Sequence, residues 1–165
     1  MSRCWPVMCR QRSPAGEESA RILEAGGDQS VLSTVAGKLA RAMYADGRLK
    51  EAEAWADRSA ELGASDDVMT QILWRQAKAM VLARRGEHAG AEQLARDAVR
   101  LADQTQSPNE QADAYSDLAE VLALEGRAQE AATSLREALS RYQSKENLAM
   151  AERTRGRLEI LVPGQ

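Results

Sequence analysis

Between residues 108 and 143 the apolar positions recur at the three- and four-residue spacing of helices that bury one face. Ala112, Tyr115, Leu118, Ala119 and Leu122 make one stripe. Ala128, Ala131, Leu135, Ala138 and Tyr142 make a second that faces it across a glycine-containing break. The same arrangement occurs twice upstream. Gly47, Gly86 and Gly126 stand 39 and 40 residues apart, each with an alanine five residues later (Ala52, Ala91, Ala131) and another seven residues earlier (Ala40, Ala79, Ala119). Seven residues beyond the first alanine comes a further small residue: Ser59, Ala98 and Ala138. Repetition at this period marks an array of one supersecondary unit. Glycine takes the left-handed conformation that ends one helix and reverses the chain. The small residues then sit where two antiparallel helices cross closely.

The pattern predicts first helices over about 31–46, 66–85 and 108–125 and second helices over about 48–62, 88–104 and 128–143. Leu39, Met43, Leu82, Tyr115, Leu118 and Leu122 fill the positions beside the small ones. Ser107-Pro108-Asn109-Glu110 has the order of an N-cap, a first-turn proline and a capping-box glutamate. Ser65 before Asp66 and Asp67 reads as a cap followed by two negative charges at a helix's positive end. A last helix over about 145–161 carries Leu148, Ala151, Leu158 and Leu161 and stops before Pro163-Gly164. Its charged remainder suits a helix that caps an open stack. The expected fold class is all-α: three antiparallel helical hairpins and a C-terminal capping helix. Residues 1–16 are expected to be a disordered tail, broken by Pro6 and Pro14, with an assumed translation start as an alternative origin; 17–162 are expected to form the repeat domain and 163–165 a short tail.

Units with a small residue in each helix and a glycine turn resemble tetratricopeptide repeats, over about residues 30–143. That resemblance implies a right-handed solenoid. The period is longer than the usual 34 of the family, the extra residues falling around 63–67 and 104–108. A narrower likeness is to the repeat regions that follow cyclase and NTPase modules in bacterial nucleotide cyclases and related multidomain regulators. Gln71-Ile72-Leu73-Trp74-Arg75, Ala83-Arg84-Arg85-Gly86-Glu87, Asp117-Leu118-Ala119-Glu120-Val121-Leu122 and Tyr142-Gln143-Ser144-Lys145-Glu146-Asn147 carry it.

In tetratricopeptide stacks the first helices line a concave surface that holds a peptide or a partner helix. Aligned on the glycines, the resemblance assigns to that surface Thr34, Gly37, Arg41 and Tyr44; Leu73, Gln76, Met80 and Arg84; and Asp113, Ser116, Glu120 and Leu124. The lysine and asparagine clamp with which the family's chaperone adaptors grip a peptide carboxylate is missing from this set. Mixed charges around Met80 imply a partner with an apolar centre and opposite charges at its ends.

Composition narrows the chemistry. Leu, Ile and Val total 28 of 165 residues and there is no Phe, a thin apolar supply, but 30 alanines at helical spacing permit a core of closely packed helices. With 22 basic and 25 acidic side chains the net charge is −3, which gives no electrostatic reason to expect nucleic acid or an anionic membrane as partner. No apolar run is long enough to span a bilayer. Cys4 and Cys9 are the only cysteines, too few for a zinc site or a disulfide framework, so a reducing cytoplasm is the expected compartment. No cofactor or metal is expected. Gly37-Lys38 is a superficial echo of a phosphate loop, with Leu39 after the lysine and Leu32 at the first glycine's place. His88 is the only histidine and has no convergent nucleophile or carboxylate in the sequence. Trp74 reads as packing between hairpins, with a ligand groove as the sharper alternative; Trp55 lies in the repeat region and Trp5 in the tail. Arg84-Arg85 and the arginines from Arg153 to Arg157 read as solvated faces. The sequence therefore points to a non-catalytic cytoplasmic adaptor or regulatory module that binds a protein segment. The alternatives are a self-association module forming a homodimer and a stand-alone remnant of a larger cyclase or NTPase regulator.

Overall fold

Three glycines set the architecture. Gly47, Gly86 and Gly126 have φ of 77°, 83° and 80°, and no atom lies within 4 Å of where a Cβ would stand. Conformation, not crowding, is thus what asks for glycine there. In each turn the glycine N–H donates three residues back and the next N–H five back: Gly47 to Tyr44 at 2.9 Å and Arg48 to Met43 at 2.9 Å, for example. This is the Schellman pattern that satisfies the last carbonyls of a helix.

The computed structural model describes residues 28–162 and, ahead of them, Ile22 alone. The helices are α1 (Gln29–Ala45), α2 (Leu49–Leu62), α3 (Val68–Arg85), α4 (His88–Ala102), α5 (Pro108–Leu124), α6 (Ala128–Ser144) and α7 (Leu148–Leu161), with no strand among the described residues. Hairpins α1–α2, α3–α4 and α5–α6 stack in order and α7 packs on α6, giving an all-α repeat solenoid with a C-terminal helix. The expected tail, the opening of the expected repeat domain, Cys4, Trp5, Cys9 and residues 163–165 lie outside the described residues.

Every small residue picked out by the repeat is sealed from solvent. Ala40, Ala79, Ala119, Ala52, Ala91, Ala131, Ser59, Ala98 and Ala138 are all 0% exposed. Around them lie Leu118, Leu122 and Leu135 in one cluster and Leu32, Leu39, Met43 and Val81 in another. Gly37 marks the tightest approach: a Cβ there would meet Leu73 Cβ at 2.7 Å and Ser59 Oγ at 3.0 Å. The first helices pack on one another, α1 on α3 and α3 on α5, whereas no comparable packing joins α2 to α4 or α4 to α6. The stack therefore curls with its first helices inside.

Local details correct the sequence reading. Helix α3 begins at Val68, not 66, because Asp67 is the cap: its side chain accepts from the Thr70 N–H at 3.2 Å. Ser107 does precede α5 with Pro108 at its start, but its side chain makes no capping bond. Helix α7 begins at Leu148 because residues 142–147 make a fourth Schellman turn, with Glu146 N–H to Gln143 at 3.0 Å and Asn147 N–H to Tyr142 at 2.9 Å. Glu146 stands where the other turns have glycine, at φ 54°. Asn147 then caps α7 through Met150 N–H.

Candidate concave site

Because the first helices form the inner row, side chains one turn apart on α1, α3 and α5 converge on one face. The structure brings most of the expected set together there, largely on one another. Arg41 of α1 reaches across α3: Nη1 donates to Gln76 Oε1 at 2.8 Å, and Nη2 lies 3.1 Å from Asp117 Oδ2 on α5. Asp113 Oδ2 is 3.9 Å from the same guanidinium, and its other oxygen accepts from the Tyr142 hydroxyl. One turn further along, Tyr44 donates to Glu120 Oε1 at 2.6 Å and accepts from Arg84 Nε at 2.9 Å. The Arg84 guanidinium is 3.5 Å from Glu120 and sits over the Tyr44 ring, 5.6 Å from its centroid. Thr34 bonds Thr70 at 2.9 Å, and Ser116 takes both nitrogens of Arg157 from α7, through its hydroxyl and, at 3.1 Å, its carbonyl.

Burial sets the electrostatics. Asp117, 8% exposed, has its pKa pushed up to about 7 by burial; the attraction of Arg41 opposes this and the nearby Asp113 and Glu120 add to it. Burial also raises the Tyr44 and Tyr142 hydroxyls, reinforced by Glu120 and Asp113 respectively, so both stay protonated donors. Burial alone would pull Arg41 down, but Asp117 and Asp113 outweigh it and the guanidinium is held more firmly charged. Burial lowers Arg157.

Part of the expected set is not open surface. Leu73, Gln76 and Met80 are 7%, 1% and 4% exposed, and Tyr44 and Ser116 are buried as well, at 8% and 6%. Met80 packs with Leu32, Leu39, Met43 and Tyr44, so it is core and not the apolar centre of an open groove. The physical reason is the close spacing that Gly37 allows: on α3 the seam with α1 swallows the positions that a wider spacing would expose. Gly37 is itself in that seam, and Leu124, at 36%, stays exposed. What the concave face offers is polar: the half-exposed Thr34, Arg41, Arg84, Asp113 and Glu120.

The sequence reading missed Thr70, Asp117, Tyr142 and Arg157, the mostly buried partners that hold this set in place. Asp113 and Asp117 are four apart, which gave a signal for Asp117. Arg84 and Arg157 are held in the network, and Arg85 forks onto Glu53 of α2 at 2.7 and 2.6 Å, so these three are not simply solvated; Arg153 and Arg155 are exposed as expected. Trp74 donates to Gln71 Oε1 at 3.1 Å and carries Arg75 over its ring at 4.2 Å. Trp55 is half-buried against two core clusters. A cleft of about 390 Å³ opens beside Ser30, Ser33, Leu62, Ala64, Asp66 and Asp67. Among the described residues no group of three or more His, Cys, Asp or Glu is placed to hold a metal ion, and no helix is long and apolar enough to cross a membrane. His88 opens α4, exposed.

Comparison with known families agrees with the repeat fold. Two models described as tetratricopeptide repeat match the chain, one over residues 69–144 and one over residues 35–58. The first runs from the start of α3 to the end of α6, and the second covers most of the first hairpin. No curated protein matches the chain. Such repeats generally mediate protein–protein interaction and are generally non-catalytic. In its turns, its close-packed small residues and these matches, the chain is a tetratricopeptide-repeat-like protein.

Proposed function

We propose that the chain is a non-catalytic interaction module that holds a protein segment bearing both acidic and basic side chains against its concave face. One observation carries the reading. Arg41, Tyr44, Arg84, Asp113 and Glu120, drawn from three hairpins, meet on that face, and the charged ones are only half-buried. A partner carboxylate can take over Arg84 or Arg41 as these exchange partners, and a partner lysine or arginine can take over Glu120 or Asp113. Each exchange swaps one charge-assisted bond for another, so recognition costs little desolvation. Thr34 adds a half-exposed neutral hydroxyl at one flank. The likeness of Gln71–Arg75 and Asp117–Leu122 to repeat regions of bacterial cyclase-type regulators makes a signalling protein the first class of partner to try.

The test is affinity capture from the source cell's lysate with the wild type and with Arg84→Ala/Glu120→Ala. That double substitution removes both members of the pair, so neither is left as an unmatched charge. Partners retained by the wild type and lost by the variant, with helical circular dichroism intact in both, support the reading. Equal retention by both moves the binding surface off the concave face.

A further inference from the structure

Helix α7 is more than a lid. It stands forty residues after α5 in the same register: Leu148 follows Pro108, and Gly156 follows Ser116. Gly156 is the ninth residue of α7, as Gly37 is the ninth of α1. On α1 that face is where the next first helix packs. Ser33 and Thr34 meet Thr70 at 3.2 and 2.9 Å, Gly37 lies under Leu73, and Arg41 bonds Gln76. Carried onto α7, the same positions are Glu152, Arg153, Gly156 and Ile160, with Ala149 one turn before them, and all five are exposed. A Cβ on Gly156 would meet nothing within 4 Å. Glycine inside a helix is unfavourable, and nothing among the described residues requires it here. Ile160, at 52%, and Leu148, at 72%, are two of only five large apolar side chains exposed among the described residues.

We infer that this face of α7 is a homodimer interface, closed by α7 of a second copy running antiparallel about a two-fold axis. The charges select the occupant. An axis between positions 152 and 153 sets Glu152 against the second copy's Arg153, and Arg153 against its Glu152. The same axis sets Ala149 against Gly156 twice, about one turn to either side of the crossing. Neither Glu152 nor Arg153 is held by a hydrogen bond or ion pair among the described residues, so each is free to pair across the axis. A helix of 14 residues is about 21 Å long, and one such crossing is small beside a standard interface, so association is expected to be weak and concentration-dependent. This face stands at the register positions of Thr34 and Arg41 on α1, but the residues that test it lie on α7 whereas Arg84 and Glu120 lie on α3 and α5, so either reading can fail without the other.

Sedimentation equilibrium of the full chain, in reductant so that Cys4 and Cys9 cannot crosslink, tests this from about 1 to about 300 μM. The expected result is a concentration-dependent rise from 18.0 kDa toward twice that mass. Arg153→Glu places like charges on the axis and should weaken association about tenfold or more. The swap Glu152→Arg/Arg153→Glu restores complementarity and should recover it. Gly156→Gln should weaken the dimer while raising the melting temperature of the monomer by a degree or two, because it removes a helix glycine. A chain that stays monomeric throughout overturns the inference. So does a dimer indifferent to Arg153→Glu and Gly156→Gln.

Discussion

The turn into α7 repeats the three glycine turns with the wrong residue in place, and that makes Glu146→Gly a sharp test of how the hairpins are built. Glu146 holds φ at 54°, and its N–H and that of Asn147 make the same two bonds as their counterparts in the glycine turns. Its side chain is exposed and makes no hydrogen bond or ion pair among the described residues, so the substitution removes no such contact. A side-chain-bearing residue in the left-handed region costs about 1–2 kcal/mol. Glycine's greater freedom in the unfolded chain returns about 0.5–1 kcal/mol of that. The expected net gain is about 0.5–1 kcal/mol, or roughly 1–4 °C in melting temperature for a domain of this size. The reciprocal change, Gly86→Ala, should lose about 1 kcal/mol by the same reasoning, because nothing lies within 4 Å of the new methyl to complicate the comparison. Urea unfolding followed by circular dichroism at the helical band measures both. A destabilised Glu146→Gly, or a neutral Gly86→Ala, would refute the view that conformation sets the residue in these turns.

Two further outcomes follow from the packing and the buried charges. Gly37→Ala drives a methyl to within 2.7 Å of Leu73 Cβ at the α1–α3 seam, so it should destabilise by about 1–3 kcal/mol despite alanine's better helix propensity, as thermal unfolding will register. Asp117, with its pKa raised from 3.8 to about 7, keeps a proton in the folded chain that the unfolded chain has already lost. Its contribution to stability therefore falls as pH rises between about 4 and 7 and is level above that. Arg41 and Arg157 oppose the shift, and Asp113 and Glu120 favour it. Melting temperatures at pH 5 and pH 8 should differ less in Asp117→Asn than in the wild type; an unchanged difference would remove Asp117 as the cause.

The hairpins were legible because each signal is local. A glycine at φ near 80° and an alanine at a helix crossing are demanded by the few residues around them, and every one of those positions lies where the spacing put it. The fourth turn was not, because Glu146 gives no sign of its left-handed backbone. The cap of α3 was misplaced by two residues because Ser65, Asp66 and Asp67 can all cap. The concave face was half legible. The resemblance, aligned on the glycines, assigned Arg41, Tyr44, Asp113 and Glu120 to it, but whether a position such as Met80 faces water or the next helix depends on how closely the helices approach. That distance is set by Gly37 against Leu73, 36 residues apart in sequence. Partners such as Arg41 and Asp117, separated by 76 positions, leave no periodic trace.

Site-specific photocrosslinking in the source cell tests the central claim most directly. A photoreactive side chain at Asp113 lies on the concave face, and one at Arg96, exposed on α4, lies on a second helix outside the inner row. The account predicts an adduct with a partner protein from position 113 and none with that partner from position 96. An adduct from position 96 alone would place the partner on the outer helices and contradict the concave reading.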